Sequence, residues 1–438
     1  MLYFYAVMFM CLYYIFQNFV NHPLVEAVYI VICLIVFILA LIKLPVRAKM
    51  LTSFLFTSGV MIHFFYGNRT FELLDGITQN LALLSIILLA PLISIPLKQE
   101  RIIERLVNNL KYVIDDYKRT YKSVFLLVFI LSPILNMGSL RIVHSFIYDL
   151  KIPNRLLSKA YYNGFTPAIL WSPFYASVGI VLVTADLSFQ SYLPIGLSFA
   201  TIQVLLAWML FKGFSANVNS SKIKINGAFW LFVLYVFIIL LLLVGLELLT
   251  GWSMLLLVSI LCLSVPLIYQ LIRFNSQEFL SEIKAYSRQV KSFSSMEVAL
   301  FLSAGLFGSA LLHTPIDDLL RNAILWSSEK SLVILFLFII LFVTVLAMVG
   351  IHQIVSVPIV LTVLLSLDLQ MSMMSAAFMC IFTWMLSASI SPLNALNIII
   401  SSCVRTNGIR VAYQWNGLYF ITITSVAMIY VYVINVIY

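Results

Sequence analysis

The chain has 438 residues, of which 63% are hydrophobic and only 10% are charged. Soluble globular proteins are about 45–50% apolar and about 25% charged, so this composition excludes a soluble domain and predicts an integral membrane protein. The formal net charge is +9. Because the basic residues lie in short segments between apolar runs, and not on a soluble basic face, this charge does not indicate a nucleic-acid partner.

Apolar runs long enough to cross a bilayer as helices follow one another along the chain. They lie at 2–20, 24–42, 50–66, 76–97, 156–184, 190–212, 227–249, 252–272, 296–313, 371–403 and 410–437. The first run lacks the basic start and the small-residue cleavage site of a signal peptide. We therefore expect it to remain as a transmembrane helix.

Two further apolar stretches, 123–149 and 331–367, do not fit a single crossing each. We predict that both are re-entrant hairpins, which enter and leave the membrane on the same side. Nearly all of the 26 Lys and Arg residues then fall on one side, the exceptions being Arg69, Arg321 and Lys330. Because basic loops favour the cytoplasm, the N-terminus is predicted inside and the C-terminus outside.

Two segments, 98–122 and 274–293, alternate apolar and charged residues with helical periodicity. This pattern predicts amphipathic helices that rest on the cytoplasmic membrane surface. The five cysteines all lie in or at the ends of apolar runs without a CxxC pair, which indicates packing residues and not a zinc site or a disulfide framework.

The spans and hairpins occur in the same order in two halves of opposite orientation. The predicted organisation is an N-terminal transmembrane helix at 1–23, a first repeat at 24–213 with hairpin 123–149, a cytoplasmic linker at 214–226, and a second repeat at 227–438 with hairpin 331–367. The predicted fold class is thus an all-α polytopic membrane protein with eleven transmembrane helices plus two re-entrant hairpins in two inverted-topology repeats.

Ser172-Pro173 and Ser391-Pro392 stand in the middle of long apolar runs, one in each repeat. Proline removes a backbone donor, and broken backbone is tolerated in a membrane only where it lines a cavity or is buried in protein. Two broken helices and two hairpin tips related by inverted symmetry are typical of the substrate and ion sites of secondary transporters. Two ordinary proline kinks are the alternative.

The hairpin tips SPILNMGS and MVGIHQIVS and the breaks WSPFYAS and SPLNALN resemble those of the ion transporter superfamily. That group includes the divalent anion/sodium symporters and the membrane subunits of TRAP transporters. The symporters carry Ser-Asn-Thr at both tips, where this chain has Asn136-Met137-Gly138-Ser139 and Gly350-Ile351-His352-Gln353. The resemblance implies sodium coupling and a homodimer, each subunit having a fixed scaffold and a mobile transport domain that works by an elevator motion.

The candidate site residues are small polar positions at the tips and breaks. Hydroxyl and amide oxygens with free carbonyls suit a hard cation, and helix N-termini suit an anion, whereas ordinary helix packing is the alternative for each residue. The predicted substrate-binding residues are Asn136, Ser139, Arg141, Ser172, His352, Gln353 and Asn394. The predicted sodium ligands are Ser132, Asn136, Gly138, Ser172, Gly350, Ser356, Ser391 and Asn394.

All 17 Asp and Glu residues fall near the ends of the predicted spans or between them. Without a carboxylate at the membrane midplane, an acid-based proton relay and a cationic substrate are disfavoured, and a neutral or anionic substrate is favoured. Arg141 is predicted either to pair with a bound anion or to extend to the cytoplasm. His352 is predicted to donate to an anion, to carry a coupling proton, or to be purely structural.

The sequence thus predicts a secondary active transporter of a small, carboxylate-like organic anion in the cytoplasmic (inner) membrane. It is not predicted to be an enzyme or to hold a cofactor, apart from Na⁺ or a proton as the coupling ion. Its expected partners are the lipid bilayer, the anion and a second copy of the chain. One alternative is the membrane subunit of a TRAP-like system with an extracytoplasmic binding protein. Another is a membrane enzyme that polymerises or ligates lipid-linked glycans.

Overall fold

In a computed structural model, the described part of the chain is helical and contains no strand. The structure describes residues 2–20, 22–67, 71–108, 117–148, 152–211, 227–274, 276–311, 313–314 and 316–438. The predicted linker at 214–226, the exceptional Arg69 and the middle of the predicted surface segment 98–122 lie outside these ranges.

The helices of the first half run from α1 to α11. They are α1 (Leu2–Gln17), α2 (Pro23–Lys43), α3 (Val46–Tyr66), α4 (Leu81–Leu89), α5 (Ile95–Gln99), α6 (Ile102–Asn108), α7 (Tyr117–Leu135), α8 (Gly138–Ile147), α9 (Asn154–Ile169), α10 (Ala176–Thr184) and α11 (Phe189–Leu210). Short 3₁₀ helices at Phe71–Thr78 and Ala90–Ser94 flank α4.

The second half contains α12 to α20. They are α12 (Gly227–Thr250), α13 (Met254–Arg273), α14 (Ser276–Leu311), α15 (Ile316–Lys330), α16 (Leu332–Met348), α17 (Gln353–Ser366), α18 (Met373–Ile390), α19 (Ala395–Cys403) and α20 (Gly417–Ile437). A π-helical turn at Arg410–Trp415 precedes α20.

Nine helical segments of the described residues are long and apolar enough to cross a membrane. They are Pro23–Lys43, Val46–Tyr66, Leu74–Gln99, Phe189–Leu210, Gly227–Thr250, Met254–Arg273, Ser294–Leu311, Met373–Cys403 and Gly417–Ile437. The chain is therefore a multi-pass, all-helical membrane protein, as predicted. Two of the eleven predicted spans differ, because 2–20 contains a helix of only 16 residues and 156–184 is interrupted between α9 and α10.

The predicted surface segment 274–293 is not a separate connector. Its residues from Ser276 onward form the first half of α14, a continuous helix of 36 residues that is about 54 Å long at 1.5 Å per residue. The helix contains no proline, and its first glycine is Gly305, so nothing in the sequence ends it before the span Ser294–Leu311. Tyr286 and Val290 in the first half are buried, whereas Leu280 is exposed.

The broken helices lie in the interior of the protein. In the most apolar part of the span Met373–Cys403, 83% of the residues are buried within the protein, whereas in that of α12 only 17% are, which leaves most of α12 on the surface of the protein. Every residue of α9 from Tyr161 to Ile169 is buried, and α9 packs against α7 and α11. The centre of the molecule is thus formed by the helices that carry the two breaks.

Candidate functional site

The chain reverses between α7 and α8 at the first tip, which comprises residues 132–139. Asn136 adopts a left-handed conformation with φ of 49°, which asparagine tolerates better than most residues. Its side-chain Oδ1 accepts a hydrogen bond from the Met137 amide at 2.7 Å. The Ser132 and Ser139 hydroxyls then lie 3.0 Å apart, although seven residues separate them. Gly138 is not needed for the turn, because its φ is not positive and a Cβ there would meet no atom of the described residues within 4 Å.

The first break, residues 170–175, lies against this tip. The Ser172 hydroxyl donates to the Pro133 carbonyl at 2.7 Å and accepts a bond from the Phe174 amide at 3.3 Å. The Tyr175 hydroxyl donates to the Ser132 carbonyl at 3.1 Å. The Ser172 hydroxyl thus supplies a donor to a carbonyl at the C-terminal end of α7, where intrahelical amide donors run out, and Tyr175 adds a second donor to the Ser132 carbonyl, which also accepts the Asn136 amide at 2.9 Å.

The second tip, residues 347–353, lies between α16 and α17. Gly350 has a φ of 99°, a conformation that side chains rarely adopt, so glycine is required here. The second break, residues 390–394, faces it in turn: the Ser391 hydroxyl donates to the Ala347 carbonyl at 2.8 Å and accepts a bond from the Leu393 amide at 3.4 Å.

The two tip–break contacts correspond in detail. In each, the serine of a Ser-Pro pair donates to the carbonyl three residues before the positive-φ residue of the tip: Pro133 before Asn136, and Ala347 before Gly350. Each serine oxygen also accepts the amide two residues later. The same local geometry therefore occurs once in each half of the chain.

Each tip and the break that contacts it form one tip–break unit. The second unit differs from the first by a pair of amide side chains that joins two helix N-termini. Gln353, the first residue of α17, is fully buried, and its Oε1 accepts a bond from Asn394 Nδ2 at 2.9 Å. Asn394 is also the N-cap of α19, where its Oδ1 accepts from the Leu396 amide at 3.2 Å. The N-termini of α17 and α19, which carry partial positive charge, therefore converge at this point.

His352 is the N-cap of α17. Its Nδ1 accepts a hydrogen bond from the Ile354 amide at 3.2 Å, and its ring packs edge-on against Trp384 with the centroids 6.1 Å apart. Since Nδ1 acts as an acceptor, the proton of the neutral imidazole lies on Nε2 in this arrangement. The ring therefore has a structural role at the second tip and keeps one N–H donor.

Several buried polar groups on α17 and α18, the helices beside the second tip and the second break, lack a hydrogen-bond partner among the described residues. They are Gln353 Nε2, Ser356 Oγ and Thr383 Oγ1, all on side chains that are at most 2% exposed. An unpaired buried polar group costs about 1–3 kcal/mol, so each of these groups is unfavourable unless something else satisfies it. At the first tip, by contrast, the hydroxyls of Ser132, Ser139 and Ser172 all have partners.

The two units belong to one helical body. Helix α10, which follows the first break, packs against α17 and α18 of the second unit. The Tyr162 hydroxyl of α9 donates to the Ser389 carbonyl at 3.0 Å, directly before the second break. Asn397 Nδ2 contacts the same carbonyl at 3.2 Å and so bridges the break from the other side.

Most predicted site residues gather at these two tip–break contacts, but Arg141 does not share them. It lies on α8 with its side chain exposed, and it interacts electrostatically with Glu297 of α14 and with Cys403. Its predicted role as an anion partner stays a prediction, as do the substrate and sodium assignments of the other residues. The described residues include no group of three His, Cys, Asp or Glu side chains that could hold a metal ion.

The sequence patterns did not single out Tyr175 and Tyr162, which tie the first unit to its tip and to the second break. The one sequence feature that points to Tyr175 is its position three residues after the serine of the Ser-Pro pair. Trp171, directly before Ser172, was also missed; its indole Nε1 is buried and has no partner among the described residues. Together with Phe174 it lines a narrow crevice against Val236 and Ile239 of α12.

No protein-family model matches this chain, and no curated protein does. Among solved structures, the chain is similar to a crystal structure of the YdaH transporter of Alcanivorax borkumensis, which is described as having an unusual topology. The TM-score is 0.46 and the sequence identity 11%, over 82% of this chain and 87% of that chain.

Proposed function

We propose that this protein is a secondary active transporter of a small organic anion, driven by a cation gradient. The observation that carries the proposal is the buried Gln353–Asn394 hydrogen bond, which joins the N-termini of the half-helices α17 and α19 beside unpartnered polar groups. Transporters bind their substrates at such discontinuous helices.

An anionic substrate fits the charge at the second tip. Each helix N-terminus stabilises a nearby negative charge by about 0.3–1 kcal/mol, and more where the site is partly buried. Gln353 Nε2 and the N–H of His352 Nε2 add side-chain donors of the kind that a carboxylate accepts. No Asp or Glu side chain of the described residues is hydrogen-bonded at either tip, so none competes with a bound anion there.

Cation coupling draws on the oxygens of the two breaks. Unwound backbone at a Ser-Pro pair and the adjacent hydroxyls supply the oxygen ligands that Na⁺ and similar hard cations use. Ser132, Ser172, Ser391 and Asn394 are our candidate ligands, and sodium is the proposed ion because of the resemblance to the anion/sodium symporters.

An elevator motion and a homodimer complete the proposal. The crevice beside the first break is lined by apolar side chains apart from Ser172, and a seam of that kind lets two helical bodies slide without breaking polar contacts. We place the moving body at α7–α11 and α16–α20, with α12 on the fixed side.

Uptake by purified protein in liposomes tests the proposal. We expect accumulation of a radiolabelled dicarboxylate or related organic anion under an inward Na⁺ gradient, and loss of uptake in Gln353→Glu, because a carboxylate would repel the anion. Gln79→Glu makes the same change at an exposed position and should leave uptake intact. Absence of flux for carboxylates, phosphonates and sulfonates would overturn the proposal. Flux that requires an added binding protein would favour the TRAP-like alternative.

A further inference from the structure

Helices α3 and α14 lie side by side with very close backbone approach. A Cβ placed on Gly59 of α3 would lie 3.0 Å from the amide nitrogen of Phe307 in α14. Further along both helices, four residues after Gly59 and two residues after Phe307, His63 and Ser309 face each other, so the two helices run in the same direction over this stretch. Their ends are therefore held at a short, fixed separation.

Two imidazoles meet at this end. His63, which is 7% exposed, directs its Nε2 to the Ser309 hydroxyl at 3.1 Å. His313 lies four residues after Ser309. Its amide donates to the Ala310 carbonyl and so extends the last turn of α14. The His63 and His313 rings lie with their centroids 5.3 Å apart and their planes at 56°. The exposed His313 side chain leaves the pair open to solution.

We propose that His63 and His313 bind a divalent transition-metal ion such as Zn²⁺, with water completing the coordination. Imidazole nitrogen is a preferred ligand for Zn²⁺, Ni²⁺ and Cu²⁺. With a Zn–N distance of about 2.0–2.1 Å and a tetrahedral angle, two imidazole centroids on one metal lie about 5 Å apart. The observed ring separation therefore allows both rings to bind one ion with small side-chain rotations. Metal binding through His63 Nε2 would replace its hydrogen bond with the Ser309 hydroxyl, whose oxygen could then accept a hydrogen bond from a metal-bound water.

Such an ion would cross-link α3 to α14 outside the tip–break contacts. The site shares no residue with the proposed transport site, so it stands independently of that proposal. Because a ligand that binds only the folded state stabilises it, Zn²⁺ should raise the thermal stability of the protein.

Titration of tag-free, chelator-treated protein in detergent with Zn²⁺ tests the site. We expect saturable binding of one equivalent by calorimetry, with a rise in melting temperature, and loss of both effects in His313→Ala. His313 is exposed, so this variant should fold normally. His63→Gln, which can still hydrogen-bond to Ser309, should show the same loss. His22→Ala removes the helix-capping histidine of α2 and should bind Zn²⁺ as the unaltered protein does.

Two results would overturn the proposal. One is the absence of saturable Zn²⁺ binding by the unaltered protein. The other is binding that persists unchanged in both His313→Ala and His63→Gln, since the ion would then bind elsewhere.

Discussion

The first and second tip–break units share a backbone plan but differ in what their polar groups do. In the first, hydroxyls of serine and tyrosine pair with carbonyls and with each other, and no amide side chain links the break to the tip. In the second, an amide pair joins two helix N-termini, and Gln353 Nε2 and Ser356 Oγ find no partner within the described chain. The serine and tyrosine hydroxyls of the first unit are thus paired internally, although Trp171 Nε1 in its break also has no partner among the described residues; our proposal places ligand binding at the second unit.

The largest expected difference between the halves comes from one glycine in each. A Cβ on Gly196 of α11 would lie 2.5 Å from the Leu170 carbonyl oxygen, at the edge of the first break. Gly196→Ala must therefore push α11 away from the break, and such overpacking costs about 1–3 kcal/mol. We expect a clear fall in the melting temperature of the purified protein.

Gly417→Ala is the matched control in the second half. A Cβ there would contact no atom of the described residues within 4 Å, and alanine is the better helix former. Its melting temperature should be equal to or above that of the unaltered protein. Equal destabilisation by the two variants would contradict the close packing at the first break.

The sequence predicted the membrane class, the all-helical fold and most helix positions, because long apolar runs can satisfy their backbone in lipid only as helices. It did not predict that 274–293 and the following span are one helix. That segment changes from amphipathic to apolar without a helix-breaking residue, and a change of composition alone does not end a helix.

For the candidate site, the sequence identified residue types but not their pairing. Ser-Pro pairs and small polar tips are visible locally, whereas the Ser172–Pro133 and Gln353–Asn394 contacts join residues about 40 positions apart. The sequence allows His352 to donate to an anion, to carry a proton or to be structural. It does not predict helix capping by this residue, because capping depends on where α17 begins. Inverted-repeat boundaries and the topology of the hairpins stay predictions.

Two serine substitutions sharpen the contrast between a paired and an unpaired hydroxyl. Ser139→Ala removes the contacts with Ser132 Oγ and the Asn136 carbonyl, and should cost about 1 kcal/mol of stability. Ser356→Ala removes a buried hydroxyl that has no partner in the described chain, so its melting temperature should change little. If that hydroxyl serves the transported ligand, Ser356→Ala should instead raise the KM for uptake.

Thermal unfolding and uptake kinetics on both variants provide the check. A stability loss in Ser356→Ala equal to that in Ser139→Ala would show that Ser356 is paired after all. An unchanged KM in Ser356→Ala would remove it from the ligand site and weaken the assignment of binding to the second unit.

The last comparison concerns His352, where the imidazole combines helix capping through Nδ1 with an N–H on Nε2. His352→Ala should cost about 0.5–2 kcal/mol through loss of the cap, whereas asparagine is among the best N-caps and should preserve stability. If Nε2–H binds the anion, His352→Asn should melt normally but transport with a raised KM.

Because His352 Nδ1 is already engaged as an acceptor, protonation of the ring would break the cap and place a positive charge at a helix N-terminus. We therefore expect the pH profile of uptake to be the same in His352→Asn and in the unaltered protein. A pH dependence that disappears in His352→Asn would instead identify the imidazole as the carrier of the coupling proton, and would make the second tip the place where both the anion and the driving ion act.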